Sequence, residues 1–364
     1  MQTGKELIDA MLKGGRYERV GVFDFIWEDT IAGWKQQGLP EQENGSPIHI
    51  ASHFGWDIDM VGGWLDYMPL KGYDEVVEET QDWHIRRNGA GAAFRYWKGK
   101  SSCPEHIDFR MTSRKIWETD YRPHLLKLDP GRINEKLMRE HLAAGREGGR
   151  WVCFTKAFIF EVLRQSLGDV CMYESLLLDP EWIHDFNRVY TDFYKMHYTY
   201  MFENIGKPDG MILCEDMGYT GAAFCSEAVF EELFFPYFAE IIEFLKSHDV
   251  HVLLHSCGYV QHLVPRFVEL GFEGIHPLEV KAGCDVRKAA RDYADKLLFL
   301  GGLDKRVYES GDRELIARET KKIITDMKAL DARFVYALDH SLSTAVKYQD
   351  YLYGLEVYRE NCGY

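Results

Sequence analysis

The chain has 364 residues, of which 46% are hydrophobic and 28% are charged. This composition excludes disordered and collagen-like proteins, and the length is sufficient for one large core or for two smaller domains. The formal net charge is −15, from 43 Lys and Arg residues against 58 Asp and Glu residues. A protein of this charge repels the phosphates of a nucleic acid, so we expect no nucleic-acid partner.

The eight cysteines are scattered along the chain and include no C-x-x-C pair. Small secreted folds need a dense cysteine framework, so this pattern predicts reduced thiols in a cytoplasmic protein. Lys5, Glu6 and Asp9 interrupt the stretch in which a signal peptide has its apolar core. No later stretch approaches the roughly 20 apolar residues of a membrane span, and we expect no membrane partner.

The first third of the chain predicts two different kinds of structure. Glu6 to Leu12 has the pattern of a helix, and Val20 to Ile26 has that of an apolar strand. Residues 74–117 contain strand-like runs, and Asn88-Gly89 is a strong signal for a tight turn. We therefore predict antiparallel hairpins in residues 74–117, inserted between the early strands as a lid or rim.

From Trp151 onward, short apolar runs alternate with amphipathic stretches, which predicts βα units and a parallel sheet. The amphipathic stretches predict a helix from Ser226 to His248, kinked at Pro236, and further helices from Gly311 to Leu330 and from Val346 to Arg359. The predicted strands are Trp151 to Ala157, Gly210 to Glu215, Val250 to Cys257, Gly274 to Val280, Leu297 to Asp304 and Phe334 to His340.

One predicted strand carries a histidine and a cysteine at its carboxyl end. His255 and Cys257 are two residues apart and leave an extended backbone on the same side, and Gly258 allows the chain to turn away. An imidazole nitrogen and a thiolate are ligands that suit Zn²⁺. The alternative is a buried cysteine beside a hydrogen-bonded histidine, and an H-x-C pattern alone does not exclude it.

Carboxylates also stand at the ends of the neighbouring predicted strands. Because the carboxyl ends of parallel strands meet at one face of a sheet, these groups can converge on one point. We expect acid–base chemistry from them, since a carboxyl group in a partly desolvated pocket has a raised pKa. The catalytic candidates are Glu215, Asp216, Glu279 and Asp339.

A zinc site needs a third protein ligand. His340 fits best because it ends its own predicted strand, and Cys284, Glu215 and Asp339 are the alternatives. Glu215 is either a fourth ligand that leaves when substrate binds or a hydrogen-bond partner of a neighbouring strand end. Strand alternation points Cys214 away from Glu215 and therefore into the core.

Four segments resemble the uroporphyrinogen decarboxylase superfamily, and the resemblance covers the chain from about Val20 to the C-terminus. They are His255-Ser256-Cys257-Gly258, the run from Pro277 to Gly283, Gly301-Gly302-Leu303-Asp304 and the helical run from Glu231 to Tyr237. The resemblance implies an α/β fold with a single (β/α)₈ TIM barrel over residues 1–364 and a site at the carboxyl ends of the strands. The superfamily contains the decarboxylase and also zinc-dependent methyltransferases that exchange methyl groups with a corrinoid protein.

Two departures favour the methyltransferase branch. The decarboxylases have an arginine-bearing segment near the N-terminus that grips the carboxylates of the tetrapyrrole, whereas Val20 to Trp27 contains no Arg. They also lack the H-x-C pair that is present here as His255 and Cys257. The resemblance therefore implies a zinc-dependent methyltransferase that works with a cobamide.

The resemblance also bears on the third zinc ligand. In the thiol-methylating members a later cysteine completes a His-Cys-Cys site, whereas residues 337–341 are Ala-Leu-Asp-His-Ser here. We expect His340 to replace that cysteine, with Cys284 as the reserve. Two imidazoles and one thiolate leave more positive charge on zinc than two thiolates do. This favours O-demethylation of a small methylated substrate, such as a methyl ether, over methylation of a thiol.

We expect a separate corrinoid protein to carry the cobamide. A carrier binds the cofactor through a D-x-H-x-x-G motif; Asp82-Trp83-His84 begins this motif, but Arg87 stands where Gly is required. In the expected reaction, cobalt(I) attacks the methyl carbon, and Glu215, Asp216 or Glu279 supplies the proton. Asp339 orients His340 or another nearby ligand.

Two other functions are compatible with the sequence. One is a metal-independent decarboxylase of a small acid or a porphyrinogen-like substrate, and the other is a non-catalytic barrel that binds a ligand. The acidic charge and the predicted hairpins are also compatible with a homodimer.

Overall fold

The computed structural model describes residues 2–43, 45–101 and 103–364. Its strands are β1 (Gly21–Val22), β2 (Gln42–Glu43), β3 (Ser46–Pro47), β4 (Ile58–Val61), β5 (Asp74–Glu79), β6 (Trp83–Asn88), β7 (Ala92–Trp97), β8 (Glu105–Phe109), β9 (Trp151–Ala157), β10 (Gly210–Cys214), β11 (Gly218–Tyr219), β12 (Ala222–Ala223), β13 (His251–Ser256), β14 (Gly274–Pro277), β15 (Leu298–Leu300) and β16 (Phe334–Tyr336).

The helices are α1 (Gly4–Leu12), α2 (Glu28–Gln36), α3 (Ile50–Phe54), α4 (Arg114–Ile116), α5 (Glu135–Glu147), α6 (Ile159–Leu167), α7 (Asp169–Leu178), α8 (Pro180–Asn204), α9 (Glu227–Leu233), α10 (Phe235–Ser247), α11 (Val264–Leu270), α12 (Val286–Tyr293), α13 (Arg306–Glu309), α14 (Arg313–Ala329) and α15 (Tyr348–Asn361). Short 3₁₀ turns cover Arg122–His124, Pro130–Arg132 and Gln261–Leu263, and a π turn covers Trp117–Tyr121. Among these described helices, none has both the length and the apolar character that a membrane crossing requires.

Eight strands form one sheet in the order β1-β16-β15-β14-β13-β10-β9-β4. Every neighbouring pair in this order is parallel. Helices α5, α10 and α14 pack against β9, β13 and β16. The fold is therefore an α/β TIM barrel, which confirms the predicted fold class.

Seven of the eight barrel strands lie within the predicted runs. β9 has the predicted bounds, whereas the other six end earlier because their last predicted residues belong to the loops at the carboxyl face. The sequence does not predict the eighth strand, β4, which has four residues with the polar Asp59 among them. Its place in the barrel comes from its pairing with β9.

The long predicted helices are present. Ser226 caps α9 by accepting a hydrogen bond from the Val229 amide. The predicted kink is a break between two helices, since Phe234 separates α9 from α10 and Pro236 lies in the first turn of α10. Proline fits that position because the first-turn amides of a helix have no intrahelical acceptor.

The predicted hairpins form a second, antiparallel sheet in the order β5-β6-β7-β8. The tight turn lies at Asn88, and Gly91 adopts a φ of 79°, in the left-handed region that favours glycine. After β8 the chain becomes helical, so the last part of the predicted insert is not a strand. The Ser101 amide donates to Asp29 at the start of α2 over 2.8 Å, which brings the loop between β7 and β8 to the mouth of the barrel.

Asp57 links β1 to β4, the two ends of the parallel sheet. Its backbone amide donates to the Val22 carbonyl, and its carboxylate accepts from the Val22 amide, each over 2.8 Å. The same carboxylate accepts from the Arg19 guanidinium at 2.6 and 2.8 Å. The side chains of Asp57 and Arg19 are 4% and 16% exposed, so this ion pair is largely buried. Asp57 therefore joins the two ends of the sheet through both its backbone amide and its carboxylate.

We expect Asp57→Ala to lower the free energy of unfolding by about 3 kcal/mol, because it leaves the largely buried Arg19 charge without its carboxylate and the Val22 amide without an acceptor. Urea unfolding followed by circular dichroism measures the change. Lys136→Ala is the control, since it removes an exposed pair with Glu140 and is expected to change stability by about 0.5 kcal/mol or less. An equally small change for Asp57→Ala would show that the seam does not depend on this carboxylate.

Candidate metal centre

A pocket of about 310 Å³ lies at the carboxyl ends of the barrel strands. The residues that line it are Phe25, Met60, Thr155, Ala157, Glu161, Gln165, Ile212, Cys214, Asp216, His255, Cys257, His276, His340 and Ser341. Apolar side chains and ionisable groups therefore share one small space. Its place is the one at which TIM barrels have their active sites.

Strand alternation decides which side chains of β10 enter the pocket. Ile212, Cys214 and Asp216 line it, whereas Glu215, on the opposite side, does not. Cys214 points away from Glu215 and packs against the hydrophobic core, as expected, and it also lines the pocket. Burial raises the pKa of the Cys214 thiol, which keeps it protonated at neutral pH.

Asp216, His255 and Cys257 bring three ligand atoms within 4.8 Å of one another. His255 Nε2 lies 3.4 Å from Cys257 Sγ and 3.5 Å from Asp216 Oδ1. Atoms bound to one tetrahedral zinc ion at about 2.0–2.3 Å are about 3.3–3.6 Å apart, so these separations fit a shared ion. The set of oxygen, nitrogen and sulfur donors also suits zinc.

Asp216 stands in this cluster although the sequence analysis assigned it to acid–base catalysis. Its Oδ1 accepts a hydrogen bond from the Cys257 amide over 2.9 Å. This bond joins the end of β10 to the end of β13 and holds the carboxylate beside the thiol.

His340, the expected third ligand, lines the same pocket but lies outside the cluster of Asp216, His255 and Cys257. Its ring stands edge-on to Trp27 at a centroid distance of 6.0 Å, and its Nδ1 is buried without a hydrogen-bond partner among the described residues. Burial lowers the pKa of His340, so the imidazole is neutral at pH 7.

Cys284, the reserve ligand, is also outside the cluster. It is buried, and its thiol donates to the Gly258 carbonyl over 3.5 Å. The structure thus brings His255 and Cys257 together as expected, and the third donor beside them is Asp216.

Glu215 serves the backbone at the start of α6. Its side chain is fully buried, and its carboxylate accepts hydrogen bonds from the amides of Phe158, Phe160 and Glu161. Phe158, the residue that precedes α6, offers no side-chain cap. Glu215 supplies that cap from the end of the neighbouring strand β10. Of the two roles predicted for Glu215, this matches the hydrogen-bond partner and not the fourth zinc ligand.

Glu279 and Asp339 also bind backbone amides, and neither lines the pocket. Glu279 accepts from the Gly258 amide over 2.9 Å. Asp339 accepts from the amides of Val280 and Lys305 over 2.9 and 2.8 Å. Burial raises the pKa of Asp339 to about 6. These carboxylates hold the loops that frame the pocket.

The sequence analysis missed His276, which is 6% exposed and lines the pocket. Its Nδ1 lies 2.6 Å from the Nδ1 of His255. His276 is the third residue of the predicted strand from Gly274 to Val280, but the strand ends at Pro277, so His276 lies next to its carboxyl end. The longer predicted strand placed Glu279 at the carboxyl end instead.

Glu161 and Gln165 form part of the pocket wall and were also missed. Arg164 donates to both oxygens of the Glu161 carboxylate at 2.9 and 3.0 Å, and Gln165 donates to it at 2.6 Å. These residues lie on α6, and a search for polar groups at strand ends does not find residues of a helix.

A comparison with known protein families shows to which family this chain belongs. A sequence model of the family described as uroporphyrinogen decarboxylase (URO-D) matches residues 172–359, more than half of the chain. The protein belongs to the uroporphyrinogen decarboxylase family. The matched part contains Asp216, His255 and Cys257. A search of the curated proteins finds no match.

A solved structure has the same fold. A methyltransferase from Methanosarcina mazei aligns with this uroporphyrinogen decarboxylase family protein over 99% of each chain, with a TM-score of 0.70 and 14% identity. At this identity the likeness shows the fold alone. A putative vitamin-B12 independent methionine synthase from Listeria monocytogenes aligns over 94% of this chain and 98% of its own, with 12% identity and a TM-score of 0.46.

In this uroporphyrinogen decarboxylase family protein we expect Glu215→Gln to lower stability and Asp216→Asn to weaken zinc binding. Glu215→Gln leaves a buried amide of α6 without an acceptor, which lowers the free energy of unfolding by about 1–3 kcal/mol, and it leaves zinc binding unchanged. Asp216→Asn weakens zinc binding and changes stability less.

Urea unfolding of the metal-free proteins and the zinc retained after dialysis, measured by plasma mass spectrometry, test this pair. Loss of zinc from Glu215→Gln at unchanged stability would make Glu215 a ligand and contradict its role as a helix cap.

Proposed function

We propose that this protein is a zinc-dependent methyltransferase that moves a methyl group between a small methylated substrate and the cobamide of a separate corrinoid protein. The observation that carries the proposal is the convergence of the donor atoms of Asp216, His255 and Cys257 beside a pocket. The likeness of the barrel to a methyltransferase from Methanosarcina mazei supports it.

Asp216, His255 and Cys257 are the residues that would hold zinc, with one position left for the substrate. A bound Zn²⁺ supplies Lewis acidity, which polarises the heteroatom of a methyl donor. A carboxylate is a harder ligand than a second thiolate and donates less electron density to the ion. We therefore propose O-demethylation, for example of a methyl ether, as the direction of the reaction.

We assign His340 to the leaving heteroatom of the substrate. Its imidazole lines the pocket and is neutral, because burial lowers its pKa. A neutral imidazole carries one N–H, which can donate a hydrogen bond to an oxygen as negative charge develops there. Glu215, Glu279 and Asp339 take no part in this step, since their carboxylates accept hydrogen bonds from backbone amides.

The pocket supports a small substrate with few charges. Phe25, Met60 and Ile212 form apolar parts of its wall, and none of its lining residues, all within the described part of the chain, is Lys or Arg. A tetrapyrrole with several carboxylates needs basic partners, because a buried carboxylate is stable only when it is paired. The substrate that we propose is a small methylated molecule.

The segment that resembles a corrinoid-binding motif has other contacts. His84 lies in β6 and stacks on Tyr96 at a centroid distance of 5.4 Å, and Arg87 pairs with Asp108 over 2.6 Å. Both residues serve the antiparallel sheet. This supports a cobamide supplied by a separate corrinoid protein.

We expect the purified protein to contain about one zinc per chain and to form methylcobamide from one member of a panel of methyl ethers, methylamines and methyl thiols. The test combines metal analysis with the visible spectrum of cobamide that has been reduced to cobalt(I). His255→Ala and Cys257→Ser should lose zinc and methyl transfer together, because each removes a donor atom. Cys284→Ser is the matched control and should keep both.

Three results would contradict this function. A fully zinc-loaded protein that transfers no methyl group in either direction would remove the reaction. A metal-free protein that releases carbon dioxide from a small acid would establish the decarboxylase instead. Ligand binding that survives His255→Ala and Cys257→Ser, with no catalysis, would indicate a binding barrel.

A further inference from the structure

His276 occupies a defined place beside the donor cluster. It pairs with His255 in the parallel register of β13 and β14, so the two imidazoles project from adjacent strands on the same side. Their rings are 4.9 Å apart at an angle of 28°, and their Nδ1 atoms are 2.6 Å apart. This is the separation of a hydrogen bond, in which one ring donates and the other accepts.

The direction of this hydrogen bond follows from the other nitrogen of His255. Nε2 faces Cys257 Sγ and Asp216 Oδ1 and is the nitrogen that points into the donor cluster. A nitrogen that binds a metal ion offers its lone pair and carries no hydrogen. The hydrogen of His255 is therefore on Nδ1, and the Nδ1 of His276 is the acceptor.

We propose that His276 is a positioning residue that fixes the ring orientation and the tautomer of His255 for metal binding. This inference rests on the zinc site of the proposed function. Metal-bound histidines commonly donate their second N–H to a carboxylate or a carbonyl, and such partners strengthen metal binding.

A histidine in this place is a neutral acceptor. The thiolate of Cys257 and the carboxylate of Asp216 together balance the two positive charges of a zinc ion. A carboxylate at position 276 would add a further negative charge and weaken the ion as a Lewis acid. His276 orients His255 without that cost and keeps its own hydrogen on Nε2.

The test compares His276→Leu with His276→Asn. Leucine fills the space but accepts no hydrogen bond, whereas the Oδ1 of asparagine can take the place of Nδ1. Competition with a chromophoric chelator should show about 10- to 100-fold weaker zinc binding for His276→Leu and a recovery of most of the affinity for His276→Asn. The visible spectrum of the cobalt(II)-substituted protein should change in His276→Leu, because the imidazole ligand is no longer held.

His197→Leu is the matched control for the loss of a buried histidine, since His197 lies in α8 and does not line the pocket. It should leave zinc affinity and the cobalt spectrum unchanged. A wild-type protein that binds no zinc would overturn the proposed function itself. Tight zinc binding by the wild type, with the same affinity and the same cobalt spectrum in His276→Leu, would overturn only the role of His276.

A measurement on the zinc-loaded wild type covers the case in which His276→Leu does not fold. Histidine-selective ¹⁵N NMR, assigned with His276→Asn, should show a hydrogen on Nδ1 of His255 and on Nε2 of His276. A hydrogen on Nδ1 of His276 would overturn the inference.

Discussion

The parallel register of β10, β13 and β14 is the constraint on which the pocket depends. Cys214 pairs with His255, and His255 pairs with His276, so the pocket-facing side chains of three strands stand in one row. Because side chains alternate along a strand, a slip of one residue in β13 would turn His255 and Cys257 towards the helices. The fully buried Leu254, on the opposite side of β13, opposes such a slip because the slip would bring it into the pocket.

The carboxylates at the strand ends fall into two groups: some accept hydrogen bonds from backbone amides, and Asp216 faces the pocket. A chain that leaves a strand and turns into a helix presents buried backbone amides that need acceptors. Glu215, Glu279 and Asp339 are such acceptors. Asp216, one residue beyond Glu215, keeps 35% of its side chain exposed and faces the pocket. Neighbouring residues of one kind therefore serve different purposes.

Membership of the uroporphyrinogen decarboxylase family defines the barrel but leaves the reaction open, because one fold carries many chemistries. In our proposal the reaction depends on the three donor atoms and on the apolar wall of the pocket. In the same proposal, His276 orients the imidazole donor without adding charge.

The sequence by itself determined seven barrel strands, the hairpin insert and the pair of His255 and Cys257, because these signals are local: side-chain period, turn residues and a spacing of two. Other features have no local signal. β4 belongs to the barrel because β9 pairs with it. Whether Asp216 or His340 stands beside the thiol depends on how the ends of different strands meet. That geometry is decided by barrel closure and strand register, which join residues distant in sequence, so only the tertiary structure could settle it.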